Sequence, residues 1–202
     1  MAIKLKDCKQ LYSRYLHLDI EEITNIFSDK MYSANAVLYP LVRKSNARVV
    51  VETGVNNGTS TAHILAALQD NGGGHLYSID LPNVEYVREG HGTHRDRLYS
   101  STGSFVPREL RKSWTLIFGD ARVELSKLLN SLDSIDLFHH DSTHTYDHMT
   151  FEYETAWPKL RDGGILASDD VNWNSAFMDL CQRKGVAAHV NRRTGFCIKR
   201  QG

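Results

Sequence analysis

The densest run of chemically capable side chains in the chain is His139-His-Asp-Ser-Thr-His-Thr-Tyr-Asp-His148, and a second acidic motif, Ser168-Asp-Asp-Val171, follows it. Each motif closes a short apolar segment, Ile135 to His140 and Ile165 to Ser168, that reads as a buried strand. Successive strands of an alternating fold are commonly neighbours, which would bring the two motifs within one strand spacing, ~4.8 Å. Asp141, Asp169 and Asp170 would then converge, and neither motif contains a lysine or arginine. Like charges so close raise one another's pKa unless a cation intervenes. Oxygen-only ligands favour a hard divalent ion, Mg2+ first, with Ca2+ or Mn2+ as alternatives. His140, Asp141 and His144 offer a different set, suited to zinc or iron. A third reading needs no metal: Asp169 or Asp170 caps the next helix and His139 packs in the core. An imidazole can accept a proton near neutral pH, so His144 is the candidate general base. It is preferred to His140, which still belongs to the strand and faces the core. Histidine is abundant here, 10 in all, so His17, His63, His75 and His189 are discounted.

Upstream, Arg48-Val-Val-Val-Glu-Thr-Gly-Val-Asn-Asn-Gly-Thr-Ser60 runs from a β-branched strand through an acid and two glycines into a helix. Val49 to Val51 read as a strand buried on both faces, the pattern of a central parallel strand. Gly54 and Gly58 allow a sharp turn and a close approach of ligand to backbone. Thr59 or Ser60 is placed to cap the helix, Thr61 to about Asp70. A second strand, His75-Leu-Tyr-Ser-Ile-Asp80, also ends in an acid. An acid roughly 20 residues past the glycine turn is where nucleotide-binding α/β folds hold a ribose. A dinucleotide site would need bare glycine backbone where Glu52 or Thr53 stands, because pyrophosphate sits on the helix N-terminus. A carboxylate repels phosphate but suits a cationic amino-acid head or a sulfonium. The turn therefore favours S-adenosylmethionine over NAD or ATP.

The elements that must position these residues form one globular domain. The chain has 202 residues, enough for a single core, and balances 24 basic against 24 acidic side chains. Bulk charge thus gives no reason to expect a nucleic-acid or membrane partner. Cys8, Cys181 and Cys197 are odd in number and widely spaced, which reads as free thiols in a reducing compartment. There is no continuous apolar stretch for a signal peptide or a membrane span, so a cytoplasmic protein is expected. Helical spacing marks Lys9 to Phe27 and Ser33 to Lys44, the latter containing Pro40. These stretches make residues 1–47 an N-terminal helical cap, either core helices or a lid and homodimer face, ahead of a domain at 48–202.

After Asp80 a long polar passage carries Tyr86, Arg88, His91, His94, Arg95 and Arg97, which suits an anionic or polyhydroxylated acceptor. Arg108 to Lys112 suggest a short exposed helix before a third strand, Trp114 to Phe118. Gly119-Asp-Ala121 ends that strand, and Val123, Leu125, Leu128 and Leu129 make the next helix. A helix from Tyr146 to about Leu160 and a turn, Arg161-Asp-Gly-Gly, precede the fifth strand. A last helix, about Asn174 to Lys184, leads to candidate strands at Val186 to Val190 and Gly195 to Lys199. Only a hairpin fits between these, so the final strand runs antiparallel. The alternation predicts a Rossmann-like α/β/α sandwich with a mostly parallel seven-stranded sheet. Ligands bind such sheets beyond the carboxyl ends of the strands, which aligns Glu52, Asp80, Asp120, Asp141, Asp169 and Asp170 along one rim.

The order Glu52-Thr-Gly54-x-x-x-Gly58, Asp80, Gly119-Asp-Ala121, Asp141-Ser-x-His144-x-Tyr146 and Asp169-Asp170 resembles the class I S-adenosylmethionine-dependent methyltransferases. Within them it is most similar to bacterial metal-dependent small-molecule and sugar O-methyltransferases of the macrocin and aminocoumarin-sugar group, over about Val49 to Lys199. The resemblance implies that Glu52, Gly54, Gly58 and Ser60 line the methionine end of the cofactor, with Asp141 beside them. It implies that Asp80 holds the ribose, that Asp120 and Ala121 flank the adenine, and that Asp141, Asp169 and Asp170 hold the metal. Those enzymes tend to carry an acid two residues after the first metal ligand, and here that position is Thr143. Two other classes are weighed: an inert cofactor-binding scaffold of the same fold, and an NAD or nucleotide-sugar oxidoreductase, which the Glu52 carboxylate disfavours.

Overall fold

The computed structural model describes residues 37–81 and 102–200. Strands β1 (Val49–Thr53), β2 (His75–Asp80), β3 (Trp114–Phe118), β4 (Ile135–His140) and β5 (Leu160–Ser168) pair in parallel. The hairpin of β6 (His189–Asn191) and β7 (Thr194–Ile198) completes the sheet, with β7 antiparallel to β5. The order across the seven-stranded sheet is β3-β2-β1-β4-β5-β7-β6. Helices α1 (Leu38–Lys44), α2 (Thr59–Asp70), α3 (Ala121–Asn130), α4 (Tyr146–Ala156) and α5 (Ala176–Lys184) cover its two faces. This is the Rossmann-like arrangement expected from the alternation.

The layers follow from strand periodicity. Side chains of a strand alternate between faces, so Val50, Leu137 and Ile165 pack with α1 and α2, whereas Val51, Phe138 and Leu166 pack with α3, α4 and α5. Val37 to Val42 and Ala47 belong to the first of these cores. This end of the expected N-terminal segment therefore packs with the sheet as core. The helical stretch expected from Lys9 to Phe27 and the acceptor loop from Tyr86 to Arg97 lie outside the described residues.

Three local expectations change. Pro40 is the third residue of α1, in the first turn, where no intrahelical N–H bond is lost, so the helix is undisturbed. Neither Thr59 nor Ser60 caps α2: Gly58 does, at φ 85°, without a side-chain bond, and Asn57 Oδ1 accepts the Thr59 N–H instead. The Arg161-Asp-Gly-Gly segment is an irregularity inside β5, not a turn before it. Leu160 pairs with Ile135 and Ile165 with Leu137, so the register shifts between them. No helix among the described residues is long and apolar enough to cross a membrane.

Candidate active site

The parallel ladders continue past the strand ends and fix the rim. Asp141 N–H donates to Thr53 O at 2.8 Å, Asp169 N–H to His140 O at 2.9 Å, and Gly54 N–H to Ile79 O at 2.9 Å. The β1 turn is thus pressed against the residues that follow β4. A Cβ at Gly54 would fall 2.0 Å from the Asp141 carbonyl oxygen, and Gly54 has φ 82°. Both the conformation and the contact require glycine. Asp80 ties the same turn to β2, its Oδ2 accepting the Val55 and Asn56 N–H groups at 3.2 and 2.9 Å. Burial raises the Asp80 pKa, against the lowering effect of backbone N–H bonds from Asn56, Val55 and Leu81.

Glu52 lies beneath the rim. It is fully buried and accepts hydrogen bonds from the hydroxyls of Ser60, Thr61 and Ser78. The side chains of Glu52 and Ser60 are thereby committed to each other, bracing β1 against α2 and β2. Asp120 caps α3 by accepting the Arg122 N–H at 2.8 Å, and Ala121 packs in the second core.

At the ends of β4 and β5 the carboxylates do converge, and two of them meet a guanidinium. Strands β4 and β5 are neighbours, as expected, yet a guanidinium from outside both motifs reaches their acids. Arg193 Nη2 donates to Asp169 Oδ2 at 2.8 Å, and its Nε lies 3.1 Å from Asp169 Oδ1 and 2.9 Å from Asp170 Oδ1. Thr194 Oγ1 adds a bond to Asp169 Oδ1 at 3.3 Å. Among the described residues no group of three or more His, Cys, Asp or Glu side chains is arranged to hold a metal ion. The donor chemistry suits a hard ion, but these contacts commit both Asp169 oxygens and Asp170 Oδ1 to Arg193, so a divalent ion on those oxygens does not fit this arrangement. The expectation of an uncompensated acid cluster is corrected accordingly. Its cation comes from the hairpin, because an antiparallel β7 begins at the rim where parallel β5 ends.

His144 sits between the acids, its Nε2 3.7 Å from Asp141 Oδ1 and 3.5 Å from Asp170 Oδ2. Burial lowers its pKa, helped by His140 and Arg193 and opposed by Asp170 and Asp169. The shift favours the neutral ring. Asp141 is pushed up to about 7 by burial, with Asp169, Glu52 and Asp170 adding to the rise and His139 opposing it. His139 is buried, 3.6 Å from Glu52 Oε1. Its pKa is raised, because Glu52, Asp141 and Asp169 outweigh the burial that favours the neutral ring.

His140 faces the interior, as expected, where it donates from Nδ1 to Glu152 Oε2 at 2.6 Å. The buried Glu152 also accepts from Thr53 Oγ1, from Ser142 Oγ at 2.7 Å and from His148 Nε2 at 2.8 Å. One carboxylate so joins β1, β4, the loop after β4 and α4. Its pKa is held at about 2: burial alone would raise it, but bonds from His140, His148 and Thr53 dominate.

The sequence reading missed several of these residues. Glu152 lay one turn past His148 on the apolar face of α4, a spacing that marks a facing pair. Arg193 was recoverable from the antiparallel hairpin, whose turn must meet the rim. Trp173, 66% exposed, stands with its ring 5.3 Å from that of His144. Leu81, which follows β2, and Phe118, the last residue of β3 and the register partner of Asp80, are both exposed. Large apolar groups left in water at a strand-end rim are the usual mark of a ligand surface.

Comparison with known proteins agrees with this fold. No curated protein sequence matches the chain. Among solved structures it is similar to an O-methyltransferase from Bacillus cereus in complex with SAH, at 15% identity and TM-score 0.58, over 96% of this chain and 98% of that one. It is similar to the O-methyltransferase TomG from Streptomyces achromogenes, involved in tomaymycin synthesis and bound to SAM, at 15% identity and TM-score 0.59, covering 98% and 89%. It is also similar to CalS11, a TDP-rhamnose 3'-O-methyltransferase of calicheamicin biosynthesis, at 16% identity and TM-score 0.59, covering 96% and 93%. A family model described as a methyltransferase domain matches residues 51–171, more than half the chain. That span runs from β1 through the glycine turn and the histidine cluster to the Asp169-Asp170 pair, and by it the chain belongs to the methyltransferase domain family, as a class I S-adenosylmethionine-dependent methyltransferase.

Proposed function

We propose that this enzyme methylates a hydroxyl oxygen of a small acceptor, with His144 as general base. The observation that carries the reading is the His144 imidazole at the rim, set among acids and next to an exposed tryptophan. Bound S-adenosylmethionine supplies the methyl as the electrophilic carbon of a sulfonium and departs as the neutral thioether. His144 Nε2 takes the acceptor proton while the oxygen lone pair displaces sulfur, so the positive charge ends on the imidazolium. Asp141 and Asp170, within 4 Å of that nitrogen, favour the charge as it develops. Trp173 offers a flat surface for a sugar ring or a phenol. O-methylation of a sugar or natural-product acceptor accords with the named activities of TomG and CalS11.

In this reading Asp141 receives the cationic amino-acid head of the cofactor. Of the three acids at the ends of β4 and β5 it is the one outside the Arg193 ion pairs, and its raised pKa makes it hungry for a cation. Asp80 takes the ribose hydroxyls, Gly54 and Gly58 let the turn close over the methionine end, and Asp120 with Leu81 and Phe118 borders the adenine. Glu52 and Ser60 support the turn from below.

Two measurements test this. Calorimetric titration with S-adenosylhomocysteine should give micromolar binding that is lost in Asp80→Ala; no binding to the wild type would end the reading. Histidine 144 replaced by alanine should lower kcat about a hundredfold, the lower range for general-base removal, while leaving that binding within threefold; a variant at full rate would exclude His144 as the base. The cofactor site also predicts a pH dependence. Only ionised Asp141 attracts an ammonium group, so affinity for S-adenosylhomocysteine should rise as pH passes upward through about 7. Between pH 6 and 8 the ionised fraction grows about tenfold, and affinity should grow in proportion. Asp141→Asn should bind more weakly and without that slope; an unchanged slope in the variant would assign the effect elsewhere.

A further inference from the structure

We propose that the Arg193 guanidinium is the resident cation of the Asp169–Asp170 pair, standing where a divalent ion would otherwise stand, so that methyl transfer at this site needs no metal. The catalytic half of this statement rests on the methyltransferase reading above; the cation half rests on the contacts alone.

The arrangement is built from the backbone outward. The hairpin turns between Asn191 and Thr194, which pair with each other, so Arg193 lies in a two-residue turn. Its carbonyl accepts the Val171 N–H at 2.8 Å, and the next strand pairs Gly195 with Ser168. Arg193 is thus held on both sides of its Cα against the segment that carries the two acids. Asp170 has φ 50°, a conformation uncommon outside glycine, asparagine and aspartate. The local strain is retained where it sets a carboxylate against the guanidinium.

The guanidinium and an ion exclude each other. Mg2+ needs carboxylate oxygens at about 2.0–2.1 Å in near-octahedral geometry, whereas Arg193 engages both Asp169 oxygens and Asp170 Oδ1. An ion on the same oxygens would also stand within a few ångströms of a fixed positive charge, and the two would repel. The planar fork matches the Asp169 carboxylate bidentately, which a lysine would not do. The Arg193 side chain is still 54% exposed, so an acceptor can reach it. Its charge then favours the oxyanion that forms as His144 removes the proton. A divalent ion would supply the same electrostatic service, and Arg193 supplies it with a group that cannot be chelated away.

The test reads the carboxylates directly. Chelator-stripped wild-type protein, Arg193→Ala and Arg193→Gln are titrated with Mn2+ at pH 8, with free Mn2+ measured by electron paramagnetic resonance. Removing the guanidinium should create a single Mn2+ site at least tenfold tighter than anything in the wild type, and adding Asp169→Asn should abolish it. Wild-type turnover should be unchanged by EDTA. Equal Mn2+ affinity in wild type and in both Arg193 variants, tight or undetectable, would overturn the proposal, as would loss of wild-type turnover in EDTA. S-adenosylhomocysteine binding by the same samples checks their folding and reports separately on the methyltransferase reading. If wild-type binding to it is absent while the Mn2+ contrast stands, the function falls and the cation assignment survives.

Discussion

Replacing Glu152 with alanine is expected to lower the unfolding free energy by about 4 kcal/mol at pH 7, since leaving a buried donor unpaired costs about 1–3 kcal/mol. Four groups lose their common acceptor at once: the Thr53 and Ser142 hydroxyls and the His140 and His148 ring N–H groups. An ionised carboxylate only accepts, so both rings must be donors here, and each would be left buried with its N–H unpaired. The same network predicts acid sensitivity. Glu152 titrates at about 2 in the folded protein, below its value of 4.5 in the unfolded chain. The unfolded state therefore binds the extra proton in acid. The associated stability, about 3 kcal/mol by linkage, is complete above pH 5 and is lost as pH falls toward 2. Urea unfolding followed by circular dichroism at pH 7 and pH 3 checks both halves. The gap between wild type and variant should be widest at pH 7 and should narrow in acid. A gap below about 1 kcal/mol at pH 7 would show that the network is not structural.

Gly54→Ala should cost about a thousandfold in affinity for S-adenosylhomocysteine, or roughly 4 kcal/mol. The added Cβ would meet Asp141 O at 2.0 Å, Asp141 C at 2.4 Å and Ser142 N at 2.8 Å. These are backbone atoms, and Asp141 is pinned by its N–H bond to Thr53. No side-chain rotation relieves the overlap, since ordinary carbon contacts lie near 3.5–4.0 Å. Either the glycine turn or the loop after β4 must move by about an ångström or more, and Asp80, Asp141 and His144 would lose their registration. Gly185→Ala is the control. Gly185 also has positive φ, at 63°, but a Cβ there meets nothing within 4 Å. That variant should lose about 1 kcal/mol of stability, the left-handed penalty alone, and bind the cofactor product normally. Binding by Gly54→Ala within tenfold of wild type would remove the close approach from the account of the site.

Much of the scaffold was legible in order along the chain. Strands β2, β3 and β4 occupy the residues that their apolar runs mark, because a buried strand flanked by turn residues is a local pattern. The acids at strand ends were legible for the same reason: in a parallel sheet the carboxyl ends share one edge whatever the loops do. The antiparallel last strand followed from a connection too short for a crossover. Local pattern failed where a side chain's partner lies far along the chain. Glu52 read as a cofactor-facing acid, yet its hydroxyl partners on α2 and β2 draw it inward. The acid cluster read as an ion site, because its motifs hold no basic residue and Arg193 lies 24 positions from Asp169.

By itself, then, the sequence determined which residues form most of the strands and helices, which face of each is apolar, and that Asp141, Asp169, Asp170 and His144 share the carboxyl rim. These are properties of spacing, set within a few residues by backbone periodicity and side-chain chemistry. The tertiary structure alone decided what each charge meets. An antiparallel strand beginning at the rim brings Arg193 onto Asp169 and Asp170, and a helix packed beneath the rim brings Glu152 under Thr53, His140 and Ser142. Electrostatic partners are chosen by distance in space, and in a doubly wound sheet that distance bears no fixed relation to separation along the chain.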